Sequence, residues 1–331
     1  MGLNLTLGLV LLLLAAGSLA VGTTSFTPDQ LLAGITGADD RLALILYEIR
    51  LPRTVLAILI GGSLGLAGAA LQGLVRNPLA SPSLFGAPSA AALGAVIVIS
   101  SGAAGALSFA LPIAGIVGAL LSVAALLLLA GRSAPIIILL LAGLVLSSFA
   151  AAGTSLALNL APNPFAALEV AFWLLGSLED RSFQHVAMAA PFILVGAGMM
   201  ASQAGALRVM SLGEDTAASL GVAVARLRLI IVVGVAAAVG AGVSVAGTIG
   251  FIGLVAPHLV RPLVGYDPAR LLLPATLVGA ALLLTADILV RLIPTSGSPL
   301  KVGVVTALVG APFFLLLVLR ERRALAGRSA L

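Results

Sequence analysis

The residues with the most chemical potential in this sequence lie in one short polar run, LRVMSLGEDTAASLGVAVARLR, from Leu207 to Arg228. Ser211 and Glu214 have the spacing of a capping box, in which each side chain satisfies a free N–H of the first helical turn. Glu214 and Asp215 sit at the positive end of the helix dipole so predicted. Gly221 is placed to end the helix, since it tolerates the left-handed conformation of a C-cap. The product is a helix of barely two turns, flanked by Arg208, Arg226 and Arg228. Its chemistry is recognition: it predicts contact with a partner in the water phase.

Other reactive groups point away from catalysis. The chain has no cysteine, which excludes disulfides, thiolate metal sites and cysteine nucleophiles. His258 and His185 have no second ligand at helical spacing, so both are read as structural or interfacial. Gly297-Ser298 lacks a histidine on a helix face that would meet it, and an intramembrane serine protease is set aside. No G-x-x-x-x-G-K-[ST] run occurs, so the chain cannot hydrolyse ATP alone. Trp173, the single tryptophan, fits a membrane interface.

A second basic group, Arg41, Arg50 and Arg53, precedes an apolar run, and Arg291 and Lys301 join it by topology. One reading is interfacial anchoring, neutralised by Asp39, Asp40 and Glu48. The other is a rim that receives carboxylates from an external partner. Asp287 is one helical turn from Arg291 and can pair with it.

These groups need a scaffold, and composition names it. Of 331 residues, 61% are hydrophobic and 9% charged, with a mean hydropathy of +1.23. That is a polytopic helical membrane protein. The net charge of +5 is scattered at span ends and is no nucleic-acid footprint. A bilayer core takes about 20 apolar residues per helix. Spans are expected at 3–22, 54–74, 84–101, 107–130, 135–159, 184–204, 229–249, 251–264, 271–290 and 303–319. Residues 1–40 hold no Lys or Arg, so the first segment is read as a span and not a signal peptide. The piece at 166–178 is too short to cross and is expected as a short outer helix.

Cytoplasmic loops concentrate Lys and Arg. Arg208, Arg226 and Arg228 put the polar run inside, and Arg320, Arg322, Arg323 and Arg328 put the C-terminus inside. An even number of spans must join them, so 251–264 crosses despite Pro257. Arg76 and Arg132 also fall inside if 166–178 stays out. The layout has ten spans and two cytoplasmic termini, with 11 basic and 4 acidic residues inside against 6 and 8 outside. Gly61 with Gly65, and Ala238, Gly242, Ala246 and Gly250, form small-xxx-small faces for close helix packing. No span carries a charge near its middle, where a proton- or sodium-coupled carrier usually needs one. The energy source is therefore expected outside this chain, and an ATP-independent secondary carrier is the weaker alternative.

The run RLPRTVLAILIGGSLGLAGAALQGLVRNPLASPSLFGAPSAAALGA, Arg50 to Ala95, resembles the FecCD family of ABC importer permeases for iron–siderophores, haem and cobalamin. LLLAGL (139–144), SLGEDTAASLGV (211–222), GFIGLVAPHLVR (250–261), ADILVR (286–291) and VGVVTALVGAPFF (302–314) agree in order, so the likeness covers essentially the whole chain. The resemblance implies an all-α, BtuC-like fold of ten transmembrane helices, one domain over 1–331, in a bacterial or archaeal plasma (inner) membrane. It implies a second permease copy or paralogue, two ABC ATPase subunits and an extracytoplasmic substrate-binding protein. The chain itself would carry no cofactor, with ATP and Mg on the partners. The cargo implied is a metal chelate, a ferric siderophore first, with haem or cobalamin as alternatives. Ser211, Leu212, Gly213, Glu214, Asp215 and Gly221 become the coupling helix on the ATPase. Arg50, Arg53 and Arg291 become the docking rim for the binding protein. Asn77, Pro78 and Leu79 match the cytoplasmic gate, and Pro78 biases Asn77 away from helix. Ser147, Ser148, Thr154, Ser155 and Asn159 match the helix lining the pathway, though hydroxyls in helices also bond back to their own carbonyls. One departure stands out: SPLKVG puts Lys301 where the family usually has an acidic residue.

Overall fold

The computed structural model describes residues 2–22, 26–102, 109–131, 135–293 and 299–328, with side chains to 319 except 318. Arg132, Gly297 and Ser298 lie outside the described residues, as do the side chains of Arg320, Arg322, Arg323 and Arg328. Among the described residues every regular element is helical. They run α1 (Gly2–Ala20), α2 (Pro28–Thr36), α3 (Asp40–Leu44), a π-helical turn (Ile45–Arg50), α4 (Leu51–Val75), α5 (Ala87–Ser100), α6 (Ala110–Ala130) and α7 (Ile136–Asn159). Then follow α8 (Pro164–Leu174), α9 (Phe183–Ala201), α10 (Ala204–Met210), α11 (Glu214–Ser219), α12 (Val224–Ala246), α13 (Ile252–Val260), α14 (Pro268–Leu292) and α15 (Val302–Arg328).

Each expected span coincides with a helix, though the helices differ in length. Among the described residues seven are long and apolar enough to cross a membrane: α1, α4 with the turns before it, α6, α7, α9, α12 and α14. α5, the apolar part of α15 and α13 are shorter. α8, at 11 residues, is only about 16 Å long and cannot cross, as its sequence suggests.

Local signals set the ends. Pro52 sits in the first turn of α4, where its missing N–H costs nothing. Asp39, Asn163 and Asp267 cap α3, α8 and α14 by accepting backbone N–H bonds. Thr27 with Gln30 forms a capping box on α2. Ser182 does the same on α9, with His185 as its reciprocal partner, which gives that histidine its structural role.

α4 and α12 form the interior, each 83% buried over its most apolar window, whereas α1 is 6% buried and peripheral. α14 lies along α4, and glycine makes the approach possible. A side chain on Gly61 would strike the Gly279 carbonyl, and one on Gly65 the Ala275 carbonyl. The second small face is shorter than the sequence suggests. α12 ends at Ala246, so Gly250 lies beyond it, and a side chain there would meet nothing within 4 Å.

The segment 251–264, expected to cross, is also built differently. Gly247 breaks α12, and the chain continues without helix to Phe251. The nine residues of α13 span only about 14 Å. Non-helical backbone at membrane depth survives only when protein covers it. Here it is covered: Ser177 N donates to Ala246 O at 2.7 Å, Thr248 Oγ1 bonds Leu174 O, and α13 is buried from Ile252 to Pro257.

Candidate functional site

The two ends of α4 are about 37 Å apart, the length of its 25 residues, and polar side chains gather at both. At one end stand Arg76, Ser211, Arg261 and Tyr266, around a cavity of ≈ 190 Å³. At the other stand Glu48, Arg50, Arg53, Asp180, Arg181 and Arg291, around a cavity of ≈ 490 Å³.

The first end holds the polar run. α10 ends in tight turns, with Ser211 N, Leu212 N and Gly213 N bonded to the carbonyls of Arg208, Val209 and Met210. Gly213, at φ 111° and ψ 156°, then redirects the chain into α11, a conformation open to glycine. The predicted capping box is therefore not formed. Ser211 lies two residues before the N-cap position, which Gly213 holds, and its hydroxyl donates to Arg208 O at 2.7 Å. Glu214, already the first residue of α11, pairs instead with the buried Arg228, a charged partner stronger than a backbone amide. Gly221 does end the helix as expected. At φ 88° it donates to Ala218 O, and Val222 N donates to Ala217 O, the two bonds of a Schellman motif. Ala217 is fully buried and anchors α11, while Leu212 and Leu220 on either side are 63% and 62% exposed.

Beside this run lies the NPL turn. Arg76 closes α4 in the left-handed conformation at φ 54°. Asn77 Oδ1 accepts from Leu79 N at 2.9 Å, and Ala80 N donates to Asn77 O at 3.2 Å. Pro78 and Ser211 line the same cavity. Asp267, which caps α14, receives Arg208 from α10 at 2.9 and 3.1 Å. Burial alone would raise the Asp267 carboxyl; the Arg208 hydrogen bond, the Ala269 and Arg270 amides and the Arg208 charge together hold it below its ordinary value.

At the far end the three expected rim arginines are brought together, but facing inward. Asp287 is fully buried between Arg53 and Arg291, with carboxylate–guanidinium distances of 2.9 Å to each. Arg291 also donates to Ser18 O and Val21 O, and Arg50 to Leu19 O and Ala20 O, all within 2.9 Å. These are the orphan carbonyls at the end of α1, which the arginines cap and whose dipole they complement. Arg50 further lies 3.7 Å from the centre of the Phe26 ring. Lys301 pairs with Glu179 at 3.0 Å, so the departure in SPLKVG has a partner of opposite sign. Arg181 stands between two cavities at this end, and its buried Nε has no hydrogen-bond partner.

On α7, Ser148, Thr154, Ser155 and Asn159 bond back to carbonyls four residues earlier, and Ser147 alone reaches another segment, at Ser83 O. Ser148, Ser155 and Asn159 are exposed along one face. His258 meets Phe313 edge to face at 5.7 Å. Among the described residues no group of three or more His, Asp or Glu could hold a metal ion. Sequence reasoning missed Gln72 and the Lys301–Glu179 pair. Gln72 was visible as a strong polar group ending an apolar run.

The comparisons with known proteins agree on one kinship. The model of the FecCD transport family matches residues 9–320. The chain is 38% identical to the Fe(3+)-citrate import system permease protein YfmE of Bacillus subtilis, covering 96% of this chain and 95% of the relative. It is 38% identical to the cobalamin import system permease protein BtuC of Halobacterium salinarum, covering 87% and 77%. A solved inward-facing structure, described as a metal-chelate type ABC transporter, superimposes with a TM-score of 0.86 at 30% identity, over 96% of this chain and 98% of that one.

Proposed function

The chain belongs to the FecCD transport family, and we propose that it serves an ATP-driven importer whose cargo is a metal chelate, a ferric siderophore. As a family member it is a multi-pass membrane permease subunit and not itself an enzyme. The ferric-citrate relative supports an iron chelate, although the cobalamin relative has the same identity.

The observation that carries the reading is α11. A six-residue helix stands outside the apolar bundle, tied down by Ala217 and the Glu214–Arg228 pair, with two exposed leucines beside it. Exposed leucines at a water-side end fit a socket on a soluble subunit. In this reading the termini are cytoplasmic, two ATPases grip residues 211–221, and ATP-driven closure moves that segment. The turn at Asn77, Pro78 and Leu79 then opens or closes a pathway lined by α7 of two permease copies. The binding protein docks over the cavity of Arg50, Arg53, Arg181 and Arg291, whose charge reaches its mouth even though Arg50, Arg53 and Arg291 bond internally.

Purification of the tagged chain in mild detergent tests the assembly. A stoichiometric subunit bearing a P-loop is expected. A chain that comes down alone, under conditions that keep related complexes together, sinks the reading. Glu214→Lys places two cations together at Arg228 and is expected to separate ATP hydrolysis from transport while the bundle stays folded. Unchanged coupling in that variant removes α11 from the mechanism.

A further inference from the structure

Between the coupling run and the NPL turn the protein contains a connection of side-chain bonds and one short backbone turn, which reaches the NPL turn through Gln72. Gln72 is buried to 2% exposure in the last turn of α4. Both ends of its amide are engaged. Its Oε1 accepts from Arg261 at the end of α13, and its Nε2 donates to Ala80 O at 3.4 Å, just past the NPL turn. Its backbone carbonyl accepts from both Arg76 N and Asn77 N, which ends α4 and starts the turn. One residue thus holds the turn twice, through its main chain and through its side chain.

Arg261 leads on to the coupling run. From Arg261 to Asp267 the chain is one compact turn. Gly265 N donates to Pro262 O at 3.3 Å, and Tyr266 N returns to Arg261 O at 3.1 Å. Asp267 then takes the two-point bond from Arg208 of α10, and α10 leads through Ser211–Gly213 into α11. Tyr266 and Arg76, both at positive φ, flank the cavity that the Arg261 side of this path shares with Ser211 and Pro78. Strained backbone of this kind persists only where surrounding bonds over-determine it.

We infer that Gln72 and Arg261 are positioning residues that carry displacement of the 204–219 segment to the NPL turn, through Arg208–Asp267 at one end and Gln72–Ala80 at the other. This inference rests on α11 being the segment an ATPase moves. The chemistry suits the task. A charged bidentate bond and a buried amide bonded through both its oxygen and its nitrogen have few alternative arrangements, so a shift of one member moves the next. Apolar packing alone would let α10 slide past the end of α14.

The test uses the whole complex with its co-purified ATPase subunits. Because the chain has no cysteine, Leu79→Cys gives one thiol at the turn, and its maleimide labelling rate is compared with and without ATP plus vanadate. Gln72→Leu removes both side-chain bonds, Arg261→Met removes one, and Arg261→Lys keeps a donor. In the Leu79→Cys background an ATP-dependent change in rate is expected. Gln72→Leu and Arg261→Met are each expected to reduce that change at least tenfold, while ATP hydrolysis stays within twofold. The double variant should be no worse than either single, the non-additivity expected of members of one chain, and Arg261→Lys should restore most of the response. A labelling response that survives both single variants overturns the inference, and so do additive effects. Loss of the ATPase subunits from Gln72→Leu or Arg261→Met overturns it too, because the bonds would then serve assembly. Glu214→Lys separates this from the premise: if it abolishes the response where Gln72→Leu does not, only the relay fails. If Glu214→Lys leaves the response intact, α11 is not the moving part.

Discussion

Asp287 shows how one residue decides what its neighbours are for. Its carboxylate is wholly buried and satisfies two guanidinium groups at once. Removing one partner of a buried ion pair leaves uncompensated charge, at a cost of about 3–5 kcal/mol. Asp287→Ala is therefore expected to lower the melting temperature in detergent well below that of a surface control such as Asp29→Ala, read from the single tryptophan, Trp173. Equal melting temperatures for the two variants would show that the arginines find other partners. The same geometry alters how docking must be tested. Reversing Arg53 breaks the Asp287 pair, so a docking defect in Arg53→Glu mixes recognition with folding. Arg181→Glu leaves that pair alone and is expected to weaken binding-protein capture while the melting temperature stays close to that of the parent chain. Capture at the parental affinity would take Arg181 out of the docking surface. Positive φ is the other signature at this scale. Among the described residues the four non-glycine residues that show it, Arg76, Asp180, Phe251 and Tyr266, all border cavities.

Helices here are set by two unequal kinds of information. Hydropathy located the long apolar helices, because each of α1, α4, α6, α7, α9, α12 and α14 is a run of about the bilayer's thickness. Glycine spacing marked Gly61 and Gly65 as a packing face but not its partner, α14. Polar partners were less legible. Ser211 and Glu214 have capping-box spacing, yet the box loses to an arginine 14 residues on, and no local pattern reports that Arg228 is within reach. Arg50 and Arg291 read as a surface rim because the carbonyls they cap belong to α1, some 30 and 270 residues away. The non-helical stretch before α13 was hidden for the same reason, since it is held by Ser177 N on Ala246 O and by the Thr248 hydroxyl on Leu174 O. Packing at this scale gives a paired prediction. A side chain on Gly68 would collide with the backbone of Gly253 in α13, whereas Gly198 in α9 faces open space. Gly68→Ala is expected to destabilise by about 1–3 kcal/mol through overpacking. Gly198→Ala should stabilise by up to about 1 kcal/mol, because alanine is the better helix former. Thermal unfolding of the two variants reads the contrast, and the same sign for both would mean that α4 and α13 are not in close contact.

The molecule as a whole presents more apolar surface than a single chain in water could carry, and its outer helices divide that surface unequally. Leu121 of α6 and Leu194 of α9 are 63% and 61% exposed among other apolar residues, as a lipid-facing wall should be. α7 differs: its exposed face mixes Leu144, Val145 and Phe149 with Ser148, Ser155 and Asn159. Residues 148, 155 and 159 are separated by seven and four positions, so they share one stripe of the helix. The hydrogen bonds of Ser148, Ser155 and Asn159 run back to their own helix, which leaves a weakly polar stripe. If two copies of the chain meet across a shared pathway, this stripe is wet while α6 and α9 are dry. A cysteine reports the difference, because the thiolate is the reactive form and it needs water. Ser155→Cys is expected to react with a charged thiosulfonate reagent at least ~10 times faster than Leu121→Cys or Leu194→Cys, and to form a disulfide between two copies under mild oxidation. Matching slow rates at all three positions would place α7 against lipid and require the pathway to run elsewhere. Fast labelling without the disulfide would keep the water-filled stripe and set the two copies of α7 too far apart to touch.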